Sequence, residues 1–134
     1  MENQIKSKRL HITLWVVQVI LALAFGMVGI MKMYKPADQL IEMGMTFVKH
    51  FELSTIRFIG IAEILGAIGL ILPAAIRIKP ILTPIAAIGI ALVMILASAQ
   101  HISRNESFVP TLVLFALAVF IAWGRLLKVP IQPR

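Results

Sequence analysis

Glu63 is the residue of this sequence best placed to do chemistry, because it is a carboxylate inside a long apolar segment. It lies seven positions after Ile56, where that segment begins, and hence about 10 Å along a helix that rises 1.5 Å per residue. An ionisable side chain at such a depth in a bilayer costs about 2.5–3.5 kcal/mol even on the mildest scale. Its position therefore indicates ligand binding, proton transfer or a buried ion pair.

Three further polar residues lie at the ends of neighbouring apolar segments. Lys32 follows the first segment, and Gln100 and His101 end the third. In a chain that crosses a membrane up and down, these positions and the start of the second segment reach the same side. Lys32 is the predicted partner of Glu63, and histidine is the residue type that exchanges protons most readily near neutral pH. We expect Lys32, Glu63, Gln100 and His101 to form a ligand or proton site.

The competing interpretation of this group is a buried ion pair that fixes the register of two helices and binds no ligand. Arg57, six positions before Glu63, is expected to point elsewhere and to anchor its helix at the membrane interface. His11 and His50 lie in basic or loop surroundings and are expected to be solvated. Glu63 and His101 alone give too few ligands for a metal, so no metal site and no catalytic residue are predicted.

Composition indicates that these residues must sit in a lipid environment. Of the 134 residues, 60% are hydrophobic and 14% are charged, whereas soluble domains are about 45–50% apolar and about 25% charged. A domain of this size buries only about two-thirds of its surface, so the apolar excess requires lipid. The net charge of +7 then reflects topology and anionic lipids rather than nucleic acid. The sequence lacks cysteine, which excludes thiol chemistry and iron–sulfur clusters on this chain.

Four apolar segments are each able to form one membrane-spanning helix. They cover about residues 12–31, 56–72, 81–99 and 109–123, and Pro73 is expected to end the second helix. The alternation of apolar and polar residues that is typical of membrane barrel strands is missing. The predicted fold is therefore all-α, an integral membrane four-helix bundle in which residues 1–134 form a single domain.

The distribution of basic residues predicts that both termini are cytoplasmic. Eight basic residues belong to the termini and the middle loop, and five belong to the other side, and the excess marks the cytoplasmic side. The loop on the opposite side contains residues 37–43, which carry the start and stop signals of a short helix. The whole loop, from Lys32 to Thr55, is rich in apolar residues. It is expected either to be a re-entrant or surface segment on the outer headgroups or to form a lid over the site.

Small residues predict which helix faces pack together. Gly60 and Gly66 lie three positions either side of Glu63, which lets another helix approach that face closely. The first segment carries a matching stripe at helical spacing, formed by Gln18, Ala22, Phe25, Gly29 and Lys32. We expect this stripe to pack against the Glu63 face, with Gly29, Gly60, Gly66 and Gly69 as helix-packing positions.

Two motifs in these segments also carry a family resemblance. The first is Phe25-Gly26-x-x-Gly29-x-x-Lys32, and the second is Gly60-x-x-Glu63-x-x-Gly66-Ala67-x-Gly69-Leu70-x-Leu72-Pro73. Together with an alanine-rich third segment that ends in His101, they resemble the DoxX-like family over almost the whole chain. The resemblance implies a four-helix bundle in the cell (inner) membrane. It also implies a link to membrane oxidoreductase assemblies, including quinone-linked sulfur oxidation and oxidative stress responses.

Three functions are compatible with these features. The first, which we favour, is a non-enzymatic accessory subunit or scaffold that binds a membrane or redox protein partner, or a second copy of itself. The second is a quinone-binding oxidoreductase component in which Glu63, Lys32 and His101 contact the quinone head group and pass protons. The third is a small proton-coupled exporter that uses Glu63. No cofactor is expected on the chain itself, and a quinone is the ligand that the second function requires.

Overall fold

A computed structural model describes residues 1–134, and all of its regular elements are helical. The helices are α1 (Glu2–Tyr34), α2 (Ala37–Glu42), α3 (Leu53–Ile76), α4 (Leu82–Ser103) and α5 (Val109–Trp123). A 3₁₀ turn (Thr46–His50) follows α2, and a π-helical turn (Gly124–Lys128) extends α5. The predicted all-α fold is confirmed.

Four of these helices are long and apolar enough to cross a membrane, namely α1, α3, α4 and α5 with its π-helical turn. They contain the four predicted segments, except that Ile81 precedes the first residue of α4. Helix α1 begins at Glu2, well before the apolar segment does, and its first turns are charged and exposed. The short helix expected in the loop is present as α2.

The helices form a bundle in which α3 packs between α1 and α4, and α4 packs between α3 and α5. The bundle has one main core of large apolar side chains and alanines from all four long helices. Its largest fully buried side chains include Leu21, Leu70 and Ile121. A smaller core of Leu40, Val48 and Ile56 joins α2 and the 3₁₀ turn to the start of α3.

Contacts between distant segments define the two ends of the bundle. At one end, which we call the terminal end, His11 of α1 contacts Arg125, and the backbone of Arg134 bonds to Arg77 in the α3–α4 loop. At the other, the lid end, α2 and the 3₁₀ turn lie beside the loop that joins α4 to α5, through a hydrogen bond from Thr46 to Glu106. Both termini therefore lie at the same end of the bundle.

Pro73 does not end α3, as the sequence predicted, but lies inside a helix that continues to Ile76. A proline has no N–H group, so the carbonyl four residues earlier, that of Gly69, loses its helical partner. The hydroxyl of Thr83 in α4 donates to this carbonyl at 2.9 Å. The helix continues because a neighbouring helix supplies the missing donor, which is how proline is tolerated in membrane helices.

Replacing Thr83 by valine should therefore destabilise the bundle by about 1–3 kcal/mol, because it leaves a buried carbonyl without a donor. The additional change Pro73→Ala should recover most of this loss, since the alanine would supply a backbone N–H group to the Gly69 carbonyl. Unfolding by sodium dodecyl sulfate, followed by circular dichroism, measures both effects. Thr55→Val, at an exposed position, is the matched control. Equal losses with and without Pro73 would contradict this explanation.

A buried polar network at the terminal end corrects two further predictions. Arg125, counted among the surface charges, is only 2% exposed, because the π-helical turn directs it into the bundle. Its Nε donates to Gln18 Oε1 at 2.7 Å, and its Nη1 donates to His11 Nδ1 at 2.9 Å. His11 is thus an acceptor in this network, and its side chain is only partly exposed. Gln18 in turn donates to the Leu70 carbonyl at 2.7 Å.

Candidate functional site

Lys32 and Glu63 form an ion pair in the half of the bundle nearest the lid end. Lys32 Nζ lies 2.7 Å from Glu63 Oε1, and the two side chains are only 9% and 7% exposed. Lys32 occupies the last turn of α1, and Glu63 lies in the first half of α3. The expected pairing of these two residues is therefore present in the structure.

Two glycines bring the ion pair together. A Cβ atom on Gly29 would lie 2.8 Å from the Gly60 carbonyl oxygen, and one on Gly60 would lie 2.7 Å from the Gly29 carbonyl oxygen. The two helices are thus in backbone contact, which only glycine allows. Because α1 and α3 run in opposite directions, Lys32 lies one turn to one side of this contact, next to Gly60, and Glu63 lies one turn to the other side, next to Gly29. Side chains on a helix lean towards its N-terminus, so those of Lys32 and Glu63 lean towards each other and meet across the contact. The predicted stripe on α1 does pack against α3.

The other two predicted packing glycines lie between α3 and α4. A Cβ atom on Gly69 would lie 2.8 Å from Ala86 Cβ, whereas one on Gly66 would be 3.4 Å from the side chain of Ile90. Gly69 therefore marks a close contact of the two helices, and Gly66 marks a looser one.

Arg57 is part of the site's framework, although its helical position predicted that it would point elsewhere. Its Nη1 donates to the carbonyls of Lys32 and Lys35, at 2.7 Å each. The last carbonyls of a helix have no partner within the helix and favour a nearby cation. At the end of α1, Arg57 supplies both a hydrogen-bond donor and a positive charge. These contacts hold the backbone of Lys32 in place.

A cavity of about 540 Å³ opens beside the ion pair. All four predicted site residues, Lys32, Glu63, Gln100 and His101, line it, and the structure thus brings them around one space. The rest of the lining is mainly apolar or aromatic: Ala24, Phe25, Val28, Phe47, Phe51, Ile59, Val93, Met94, Leu96, Ala97, Arg104, Thr111 and Leu114. An apolar cavity with a few convergent polar groups is typical of a site for a small organic ligand.

Two buried polar atoms on this cavity have no hydrogen-bond partner. One is Glu63 Oε2, since Lys32 bonds only to Oε1, and the other is His101 Nδ1. Glu106 Oε2 lies 3.8 Å from His101 Nδ1, which is longer than a hydrogen bond. Buried polar atoms are nearly always paired, so these two residues of the cavity lining are the ones whose hydrogen bonding a ligand would complete.

Phe47 of the 3₁₀ turn and Phe51 directly after it line the cavity at the lid end, so this part of the segment lies against the site, as a lid would. The ring centroid of Phe47 lies 5.0 Å from Lys32 Nζ, within cation–π range. Thr46 donates to Glu106 Oε2 at 2.7 Å, and Arg104 also bonds to the Glu106 carboxylate. Glu106 therefore ties the lid to the loop between α4 and α5.

Comparison with known protein families identifies the family to which this chain is similar. The sequence model of the DoxX-like family matches residues 16–124, which include the ion pair, the lid and every residue of the cavity lining. This chain belongs to the DoxX-like family. Searches of curated proteins and of solved structures gave no significant match.

Several parts of this DoxX-like site were not found from the sequence. Phe47 and Phe51 line the cavity, and Glu106 fastens the lid. The apolar character of the loop was the only signal for the two aromatic residues. No spacing rule connects Thr46 with Glu106, because they lie in different loops and meet only in the folded chain.

The ion pair of the DoxX-like protein should behave as a unit. Lys32→Met should destabilise it by about 3–5 kcal/mol, because the partner carboxylate remains buried and unpaired. Lys32→Met combined with Glu63→Leu should recover most of this loss, since apolar replacement of a buried pair is often neutral. Detergent unfolding measures both values, and Lys49→Met, an exposed lysine of the lid, is the control. A double variant as unstable as the single one would refute this coupling.

The Glu106 contact should give the lid a pH dependence. Hydrogen bonds from Arg104 and then Thr46 lower the pKa of the Glu106 carboxyl below its ordinary value of about 4.5. A carboxyl whose pKa is lower in the folded state than in the unfolded state stabilises the fold at pH values above its unfolded-state pKa. This stabilisation disappears as the pH falls through the folded-state pKa. The melting temperature of the wild type should therefore exceed that of Glu106→Gln by a constant amount above about pH 5.

Below that pH the difference should shrink towards zero. Thermal melts in detergent between pH 3 and 7 measure it, with Glu42→Gln, an exposed carboxyl of the lid, as the matched control. A difference that grows on acidification would show that Glu106 does not act through its ionised form.

Proposed function

We propose that this DoxX-like protein is a membrane subunit that binds the head group of a quinone-like molecule in the cavity beside Glu63. The observation that carries the proposal is Glu63 Oε2, a buried acceptor without a partner on the wall of an apolar cavity. A scaffold needs no such atom, because the ion pair through Oε1 already fixes the register of α1 and α3. A ligand that donates a hydrogen bond explains it.

The polar groups around the cavity suit both redox states of a quinone. A quinol hydroxyl can donate to Glu63 Oε2. A quinone carbonyl can accept from the ammonium group of Lys32, which has three donors and uses one on Glu63. His101 can act with either state, because the tautomer of the ring decides whether Nδ1 donates or accepts. The apolar and aromatic lining is compatible with the flat ring of the head group.

Electrons must come from a partner redox protein in this proposal. The chain has no cysteine and hence no thiol or iron–sulfur cluster of its own, so we assign it quinone binding and proton exchange rather than a complete reaction. In this proposal the protein keeps the accessory role expected from the sequence, and a quinone-like molecule is its ligand. We place the protein in the cell membrane with both termini in the cytoplasm, on the strength of the basic residues near the terminal end.

The alternative of a proton-coupled exporter receives less support from the geometry. A carboxylate that attracts a cationic substrate should carry an uncompensated negative charge, whereas Glu63 is paired with Lys32 at 2.7 Å. The ammonium group would repel a cation at this position. A neutral ligand with hydroxyl or carbonyl groups meets no such repulsion.

Binding of decylubiquinone to the purified protein in nanodiscs tests the proposal. A hydrogen bond to a charged group contributes about 1.5–3 kcal/mol, so Glu63→Gln and His101→Leu should each weaken binding about tenfold or more. The bound quinone can be separated, extracted and quantified by chromatography. Glu42→Gln, which removes a carboxylate outside the cavity, should bind as the wild type does.

Stability changes are separated from binding by the double variant Lys32→Met with Glu63→Leu, which keeps the helix contact apolar and removes both polar groups. It should fold and should not bind the quinone. Equal binding by the wild type and this double variant would leave the ion pair as a purely structural feature.

A further inference from the structure

A second concave space, of about 410 Å³, lies between α3 and α4. Phe25 of α1 and residues of α3 and α4 form its walls, with small side chains at Ala62 and Gly66 on one side and at Ala86 and Gly89 on the other. Phe58 at its border is 71% exposed, so the space is a groove on the outer surface of the bundle. Because α3 and α4 are membrane-spanning helices, this surface faces lipid.

The groove results from the way α3 and α4 diverge. They touch at Gly69, where an added Cβ would lie 2.8 Å from Ala86 Cβ. Towards the lid end the contact loosens, since the corresponding distance from Gly66 to Ile90 is 3.4 Å, and an added Cβ on Gly89 would meet nothing within 4 Å. The groove therefore begins at the Gly69 contact and widens in the direction of Glu63.

The groove adjoins the cavity that holds the predicted site. Four residues, Phe25, Ile59, Glu63 and Val93, line both spaces. Glu63, only 7% exposed and with Oε2 unpaired, thus stands where the lipid-facing groove meets the cavity. Small residues alone would indicate no more than helix packing, but here they lead to a buried acceptor.

We infer that the groove holds the hydrocarbon tail of the ligand whose head group binds at Glu63, and that this ligand reaches the site sideways from the bilayer between α3 and α4. The inference rests on the proposed function and narrows it to membrane-dissolved ligands with one polar ring and one long alkyl or isoprenoid chain. Such a molecule keeps its tail among apolar surroundings while its head group moves only from the lipid to the neighbouring cavity.

A side chain that fills the groove tests the inference without disturbing the cavity. Gly89→Leu adds atoms where the chain itself has none within 4 Å, and leucine favours the helix more than glycine does. A long tail would lose its place, so binding of ubiquinone with a chain of several isoprene units should fall about tenfold or more. A tailless dimethoxy-methyl-benzoquinone should bind the variant and the wild type equally. Ala116→Leu, an exposed position on α5, is the matched control.

The outcomes separate this inference from the proposed function. If Gly89→Leu binds the long-chain quinone as the wild type does, while Glu63→Gln does not, the head-group site stands and the groove is not the tail site. If the wild type binds neither quinone, both proposals fail. If Gly89→Leu changes the mass of the purified particle in multi-angle light scattering and leaves quinone affinity unaltered, the groove receives a helix of a second copy, and the inference is overturned.

Discussion

The backbone contact between Gly29 and Gly60 determines the positions of most groups in the site. It brings α1 and α3 so close that each glycine's missing Cβ would meet the other's carbonyl oxygen, at 2.8 and 2.7 Å. Lys32 and Glu63 lie one turn to either side of this contact, and their side chains meet across it as an ion pair. Arg57 then holds the end of α1, and Phe47 of the lid lies against the ammonium group. The geometry of the site follows from a contact between two residues without side chains.

A second constraint acts throughout the bundle: in lipid, every backbone and side-chain polar group needs a partner within the protein. Thr83 supplies a donor for the carbonyl that Pro73 leaves free, and Gln18 supplies one for the Leu70 carbonyl. The buried guanidinium of Arg125 is surrounded by acceptors, among them Gln18 and His11. Against this background the unpaired Oε2 of Glu63 is an exception, and exceptions of this kind are where function is best sought.

Local rules were sufficient to predict the helices, their number and the identity of the central ion pair. Hydropathy identifies the membrane-spanning segments, and helical spacing identifies the helix faces that pack together. The up-and-down path of the chain brings Lys32 to the same end of the bundle as Glu63. The same rules failed where the conformation or burial of a residue depends on another part of the folded chain. Pro73 is compatible with a helix only because Thr83 lies opposite, and Arg125 is buried only because a π-helical turn rotates it inward. The role of Glu106 likewise depends on two loops that meet only after folding.

The unpaired carboxylate oxygen also has a consequence for how long the protein survives in a cell. A buried acceptor without a donor lowers the stability of the folded chain, and a ligand that supplies the donor stabilises the folded state by mass action. Chaperones and proteases act on the fraction of a protein that is unfolded, so modest changes in stability alter abundance several-fold. Under the proposed function, the quantity of this protein in the membrane would then follow the supply of the quinone-like ligand, without any dedicated regulator.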